Sequence, residues 1–218
     1  MLSKRFQNHP TVSDVARHAG VSSATVSRAI NRPHLVRAST REQVFRAMEA
    51  CGYVANALAR GLSSRRSSTV GIIIPTITNP IFAVSTGGAQ EVFQHHGYTV
   101  FLGTTDYDPN QESRLIKSFM EQQVDGLILT GYQRAPVVYE DLMRRNYPFV
   151  LTWITVEEGN IPFIGFDNHQ AAYRMTDFLL DLGHQRIGMI CGDTTLSDRA
   201  RQRLEGYRQC LEHRGIPF

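Results

Sequence analysis

The apolar positions of the first fifty residues recur with the period of short helices. Val12, Val15, Ala16 and Ala19 form one stripe, and Thr11-Val-Ser-Asp14 has the hydroxyl-x-x-acid spacing of a helix start. The Thr11 oxygen is placed to cap free backbone N–H groups, and Asp14 sits in the electropositive first turn. Gly20 ends this helix, Ser22 opens a second, and Val26, Ala29 and Ile30 are its inward stripe. Two short helices joined by a Gly-containing turn have the spacing of a helix-turn-helix. Ser39-Thr-Arg-Glu42 repeats the capping-box arrangement ahead of Val44, Ala47, Met48 and Cys51, and Gly52 stops this third helix. Three such stripes close a minimal core. A short helical candidate at 56–62, weakened by Gly61, and a Ser- and Arg-rich stretch at 63–68 read as a linker that orders on binding.

Beyond residue 68 the pattern changes. Short apolar runs at 70–74, 98–102, 125–129 and 149–152 alternate with longer helical segments, which predicts a parallel, doubly wound sheet. Further runs at 163–166 and 186–191 are expected to open a second unit of the same kind. Ligands of such folds sit beyond the carboxyl ends of the strands, so the loops after Ile74, Leu102, Thr130, Thr152 and Cys191 are where a site is sought.

Composition narrows the picture. With 218 residues, 42% of them apolar, the chain has the composition of a globular protein rather than a disordered or collagenous one. Its apolar runs fall far short of the roughly 18 to 20 residues of a membrane span, and no secretory signal precedes residue 10. Cys51, Cys191 and Cys210 lack CxxC or Cys/His spacing, which suits a reducing cytoplasm and argues against a zinc site. Charge is divided unevenly. Residues 1–67 hold 11 Lys and Arg against 3 Asp and Glu, a net of +8, whereas residues 68–218 hold 12 against 17, a net of −5. A basic head on an acidic body fits a polyanion-binding head, or one that is simply soluble.

The outward face of the second helix separates the two. Ser23, Ala24, Ser27 and Arg28 are small or polar except for one long guanidinium. Small side chains let the helix approach bases in a major groove, Ala24 can touch a thymine methyl, and Arg28 can bond guanine O6 and N7 together. Ser22, Thr25 and Ser27, with the backbone at the helix start, suit phosphate oxygens. The bland alternative is a solvated helix face.

The run Thr11-Val-Ser-Asp-Val-Ala-Arg-His-Ala-Gly-Val-Ser-Ser-Ala-Thr-Val-Ser-Arg-Ala-Ile-Asn31, followed by Ser39-Thr-Arg41, Gly52-Tyr53, Asn56 and Ala59-Arg-Gly-Leu62, resembles the headpiece and hinge of LacI/GalR transcriptional repressors. The resemblance continues through Asn79-Pro-Ile-Phe82, Val124-Asp-Gly-Leu-Ile128, Leu182-Gly-His-Gln-Arg-Ile187 and Arg201-Gln-Arg-Leu-Glu-Gly-Tyr207. It implies base reading by Ser23, Ala24 and Arg28, and a minor-groove wedge at Leu62 that pries open a central base step; packing of Leu62 between linker and body is the alternative. Where the family often has Pro, this chain has Ala55, so a looser hinge entry is expected. The resemblance further implies effector contacts at Asn79, Phe82, Trp153 and Arg203, chemistry that suits a small polyol, sugar or sugar acid: aromatic cover from Phe82 and Trp153, polar bonds from Asn79 and Arg203. Phe82 and Trp153 read equally as core aromatics, and Arg203, among Arg199, Arg201 and Arg208, as part of a solvated basic face. The segment 126–130 and Gly165-Phe-Asp-Asn168 are similar to gluconate-type repressors within that family.

The expected architecture is therefore a three-helix DNA-binding head at 1–55, a hinge helix and linker at 56–68, and a periplasmic-binding-protein-like α/β effector core. That core comprises a first lobe at 69–162 and a partial second lobe at 163–218. Members of this family carry about a hundred more residues, enough for the rest of a doubly wound lobe, so the second lobe is expected to be incomplete. No GxxxxGK[ST], HExxH or GxSxG motif is present. His95-His96 lacks a carboxylate at metal spacing, and Asp106 and Asp108, ahead of Pro109, read as a helix-capping turn rather than a phospho-receiver. The expectation is a cytoplasmic, ligand-responsive repressor without catalysis, cofactor or metal, binding pseudo-palindromic operator DNA as a homodimer. A truncated DNA-binding module without effector control is the alternative.

Overall fold

The computed structural model describes residues 10–54, 66–156 and 161–218. The hinge candidate, with Ala55 and Leu62, lies outside the described residues. Chain contacts divide at Ser67/Ser68 into two compact units.

In the first unit, helix α1 (Val12–His18) begins with the expected reciprocal cap: the Asp14 N–H donates to Thr11 Oγ1 (3.3 Å) and the Thr11 N–H to Asp14 Oδ2 (2.9 Å). Gly20 follows it at φ +60°, a left-handed conformation that glycine adopts without penalty. Helix α2 (Ser23–Asn31) is capped by Ser22, whose Oγ accepts from the Thr25 N–H (3.1 Å). After a 3₁₀ turn (Pro33–Leu35), helix α3 (Ala38–Cys51) ends at left-handed Gly52. The capping box expected at Ser39 does not form. The first helical bond runs from the Arg41 N–H to the Arg37 carbonyl, so Ser39 and Glu42 already lie inside the helix. Val15, Ala16, Ala19, Val26, Ala29, Val44 and Ala47 make the core, and the Gln43 side chain donates to the Ala19 carbonyl (2.9 Å), closing the end of α1.

The second unit is built on five parallel strands in the order β2-β1-β3-β4-β5. These are β1 (Thr69–Ile74), β2 (Thr99–Thr104), β3 (Gly126–Thr130), β4 (Phe149–Thr152) and β5 (Phe163–Ile164), with α4 (Pro80–His95), α5 (Pro109–Glu121) and α6 (Pro136–Arg144) as crossovers. Alternate residues of β1 serve opposite faces. Ile73 joins Ile116, Phe119, Leu127, Leu129, Leu142 and Leu151 under α5 and α6, while Ile72 and Ile74 join Phe82 under α4. Both faces are thus covered, as a doubly wound sheet requires. Asp108 caps α5, its carboxylate accepting from the Asn110 N–H (2.8 Å), so this acidic turn is a helix start as expected.

Two sequence expectations change here. The run at 163–166 was expected to open a second sheet, but β5 pairs with β4 (Leu151 with Phe163, Thr152 with Ile164) because the N–H groups of Leu151 and Trp153 are satisfied by the Pro162 and Ile164 carbonyls. The run at 186–191 joins no strand ladder among the described residues, and Ile190 stands fully exposed. The chain then continues into α8 (Asp198–His213), which packs along α7 (Asn168–Asp181). Among the described residues no helix is long and apolar enough to cross a membrane.

Candidate nucleic-acid interface and ligand cleft

On the first unit, the inward turn of Val26 and Ala29 places Ser23, Ala24, Ser27 and Arg28 together on the exposed side of α2, with Ser22 exposed and Thr25 half-buried at its start. Ser22 Oγ and Thr25 Oγ1 lie 2.9 Å apart, and Ser27 Oγ accepts from Asn31 Nδ2 (3.3 Å). Arg28 carries no ion pair among the described residues, whereas Arg17 and Arg46 each pair with a carboxylate on their own helix. The face therefore offers one free guanidinium amid small hydroxylated side chains, with the N-terminal end of α2 beside it. Such a surface offers donors suited to anions and to base edges. Leu62 lies outside the described residues.

On the second unit, the four expected effector residues occupy the carboxyl ends of the strands and the helices facing them. Asn79 is exposed and caps α4, its Oδ1 accepting from the Ile81 N–H (3.2 Å). Phe82, one turn on, is buried and meets Trp153 edge to face, with ring centroids 6.0 Å apart. Trp153 also meets Phe166 at 6.4 Å. The Trp153 backbone is left-handed at φ +69°, which for so bulky a side chain costs on the order of 1–3 kcal/mol and must be held by its surroundings. Its N–H donates to the Ile164 carbonyl (3.1 Å), and its carbonyl accepts from Asn168 Nδ2 (2.8 Å). Half-buried Arg203 on α8 donates to Asn168 Oδ1 (2.6 Å).

Phe82, Trp153 and Arg203 are thus brought together, the last through Asn168, a residue that sequence reasoning had not placed in the site. Asp167-Asn168 reads locally as a helix start, and Asp167 does cap α7 by accepting from the Gln170 N–H. Nothing in the local sequence signals that Asn168 turns inward.

A second polar group missed from sequence joins the β3–α6 turn to the start of α8. Asp198 is buried, and its Oδ2 accepts from the backbone N–H groups of Tyr132 (2.6 Å) and Gln133 (2.8 Å). Its Oδ1 accepts from Arg199 Nη1 (2.9 Å). Burial pushes the Arg199 guanidinium below its ordinary pKa, and Asp198 opposes that shift. Gly131 is left-handed at φ +77°, and a Cβ there would meet the Arg199 guanidinium, so a larger residue would be strained and would have to displace Arg199. Behind the turn, buried Arg134 pairs with Glu112 (3.1 Å) and bonds the Tyr139 hydroxyl, which donates to the Tyr132 carbonyl (2.7 Å). Burial pushes the Tyr139 pKa up to about 12. The basic cluster of α8 is therefore not one solvated face. Arg199 is buried against Asp198, Arg201 reaches Gln133, Arg203 reaches Asn168, and Arg208 lies over the Phe218 ring.

Beside these groups opens a cleft of about 490 Å³ walled by Tyr132, Ile154, Thr155, Val156, Asp167, His169, Asp198, Arg201, Gln202 and Glu205. It includes none of the four expected residues but adjoins Trp153 through Ile154. Its three carboxylates, with the Gln202 amide and the Arg201 guanidinium, suit a hydroxylated ligand. Among the described residues no cluster of His, Cys, Asp or Glu has metal-binding geometry.

Residues 11–56 match the model of bacterial regulatory proteins of the lacI family, and residues 67–218 match that of periplasmic binding proteins and the sugar binding domain of the LacI family. Catabolite control protein A of Priestia megaterium is 34% identical over 95% of this chain and 62% of its own length. The HTH-type transcriptional repressor CytR of Escherichia coli K12 is 34% identical over 99% of this chain and 63% of its own. The chain thus spans a little over three fifths of the length of these relatives. Among solved structures, a LacI family regulator from Silicibacter pomeroyi is similar with a TM-score of 0.87 at 29% identity, covering 96% of this chain and 63% of that one. The lac repressor dimer bound to operator and an anti-inducer is similar with a TM-score of 0.78 at 25% identity, covering 96% and 64%.

Proposed function

The chain belongs to the LacI family of bacterial regulatory proteins, and from that premise we propose that it serves as a cytoplasmic, sequence-specific transcriptional repressor whose grip on DNA is set by a small carbohydrate-type effector. The head, 1–55, reads operator DNA with Ser23, Ala24 and Arg28 while Ser22, Thr25 and Ser27 hold phosphates. The hinge, 56–68, inserts Leu62 into the minor groove. The core, divided into lobes at 69–162 and 163–218, takes a sugar or sugar acid between Asn79, Phe82, Trp153 and Arg203. Two copies bind a pseudo-palindromic site. Exposed Ile81, Val84 and Val92 on one side of α4 offer an apolar surface on which a second copy can seat.

The mechanism is a population shift. Effector in the cleft favours one disposition of the sheet against α7 and α8, and operator affinity changes by the difference in binding energy between the two dispositions. No covalent step, cofactor or metal is part of it.

The observation that carries this reading is the pairing, in one chain, of an exposed helix-turn-helix face bearing unpaired Arg28 with a polar cleft at the carboxyl ends of a parallel sheet. To test it, neutral sugars and sugar acids are titrated into the full chain while Trp153, the single tryptophan, reports by its emission. Operator affinity is then remeasured at saturating ligand. A compound that moves both signals is the expected result. A panel that moves neither removes effector control and leaves a DNA-binding module acting alone.

A further inference from the structure

Asn168 is fully buried, and its amide orientation is dictated by its neighbours. Nδ2 faces two carbonyl oxygens, donating to those of Trp153 (2.8 Å) and Phe166 (3.3 Å), and Oδ1 faces the Arg203 guanidinium (2.6 Å). A flipped amide would set Oδ1 against two acceptors and Nδ2 against a cation, so one orientation alone is chemically consistent. The surroundings leave no slack. A Cβ on Gly165 would lie 2.4 Å from both the nitrogen and the oxygen of Ile154, so the segment carrying Phe166 and Asn168 runs directly against the segment carrying Trp153. The left-handed Trp153 is held from both sides, by the Ile164 carbonyl and by Asn168.

Arg203 has no ion pair among the described residues. Among the described residues its hydrogen bond is to a neutral acceptor, which aims the guanidinium without cancelling its charge. Arg199 and Arg134, in the same unit, are each matched by a carboxylate.

We propose that Asn168 is a positioning residue beside the cleft: it aims Arg203, which lines the neighbouring pocket between α7 and α8, for a ligand while leaving its charge uncompensated, and it transmits any displacement of Arg203 to the strained Trp153 turn. A ligand that draws Arg203 away takes the acceptor-side partner from the amide and loosens its hold on the Trp153 carbonyl. This places a mechanical link between α8, which carries Arg203, and the end of β4, which leads into Trp153. The proposal rests on the reading of Arg203 and Trp153 as effector contacts, but the link between them can be measured with no ligand present.

The experiment is a double-mutant cycle on the full chain, with acrylamide quenching of Trp153 as readout. Arg203→Ala in the parent should change the quenching constant by about twofold, and the same substitution in an Asn168→Ala background should change nothing further, because the route from Arg203 to Trp153 is gone. Asn168→Asp separates the two ends. It keeps an acceptor for Arg203 but puts an oxygen against the Trp153 and Phe166 carbonyls, so the Arg203 guanidinium resonance should stay ordered while Trp153 becomes as quenchable as in Asn168→Ala. Equal effects of Arg203→Ala in both backgrounds, or parent-like quenching in Asn168→Asp, would overturn the proposal. Should Asn168→Ala lose its far-UV helical signal, the single change Arg203→Ala still decides, since an unmoved Trp153 refutes the link. A parallel titration of the parent with D-gluconate and D-glucose keeps the two readings apart. Ligand response without coupling sinks the relay, whereas coupling without any ligand response sinks the effector assignment and leaves the relay standing.

Discussion

Side-chain hydrogen bonds of the head are mostly local, whereas the sheet-containing unit also ties distant stretches of its chain together. On α1 to α3 the side-chain hydrogen bonds join residues three or four apart, apart from the one between Gln43 and Ala19, and Arg28 pairs with nothing among the described residues. In the second unit Asp198 reaches Tyr132 across 66 residues, Gln133 and Arg201 are joined across 68, and Arg203 reaches Asn168 across 35. Under the proposed function, the difference follows from the targets. A polyanion supplies its own strong acceptors and is met by exposed, unsatisfied donors on a rigid helix. A small hydroxylated ligand has few groups to offer, so the protein must hold each of its own in place beforehand.

The sharpest way to break this comparison is Asp198→Ala. It leaves the buried Arg199 guanidinium without its partner and the half-buried Tyr132 and Gln133 N–H groups without their acceptor, and should destabilise the second unit by about 3–5 kcal/mol in urea unfolding followed by Trp153 fluorescence. A loss below about 1 kcal/mol would rank Asp198 with exposed pairs such as Asp14–Arg17. On the head, Arg28→Ala should cost about 1–3 kcal/mol on a selected duplex and little on random DNA. Equal losses on both would reduce Arg28 to a solvated charge. Leu62→Ala should likewise weaken selected duplex more than random DNA, and an unchanged ratio would return Leu62 to linker packing. Thr11→Ala removes the Oγ1 acceptor of the Asp14 N–H, the side-chain half of the α1 cap, and should lower head stability by about 1 kcal/mol, read as faster amide exchange along α1.

The smallest effect concerns pH. Burial pushes the Tyr139 and Tyr147 pKa values up to about 12. A phenol with a raised folded-state pKa binds its proton more tightly when folded, so its contribution is intact below pH ~10 and is lost as pH rises towards 12. Tyr139→Phe should flatten that alkaline fall, and an unchanged slope would assign it to other groups.

The same contrast decides what the sequence could reveal. The caps at Thr11, Ser22 and Asp108 and the stops at Gly20 and Gly52 are set by residues within a turn of each other, and the sheet follows from alternating apolar runs covered on both faces. The α2 face was readable because its exposure follows from helical period alone. Where long-range pairing decides, local pattern fell short. Ser39-Thr-Arg-Glu42 has the form of a capping box, but the turn at Pro33–Leu35 delivers the chain into α3 earlier. The run at 163–166 is apolar enough to start a sheet, but its β5 residues complete an existing one. Asn168 looks like a cap residue and is a buried junction. Asp198 and Arg199 look like surface charges at a helix start, yet they are held by a turn that no nearby residue announces.

The measurement that tests the account most directly is a selection of random duplex DNA by this 218-residue chain, sequenced at two salt concentrations. The account predicts enrichment of an inverted repeat with a flexible central step, retained at the higher salt and lost with Arg28→Ala. Enrichment of no symmetric site, or equal retention of all sequences with a uniform salt dependence, would contradict it.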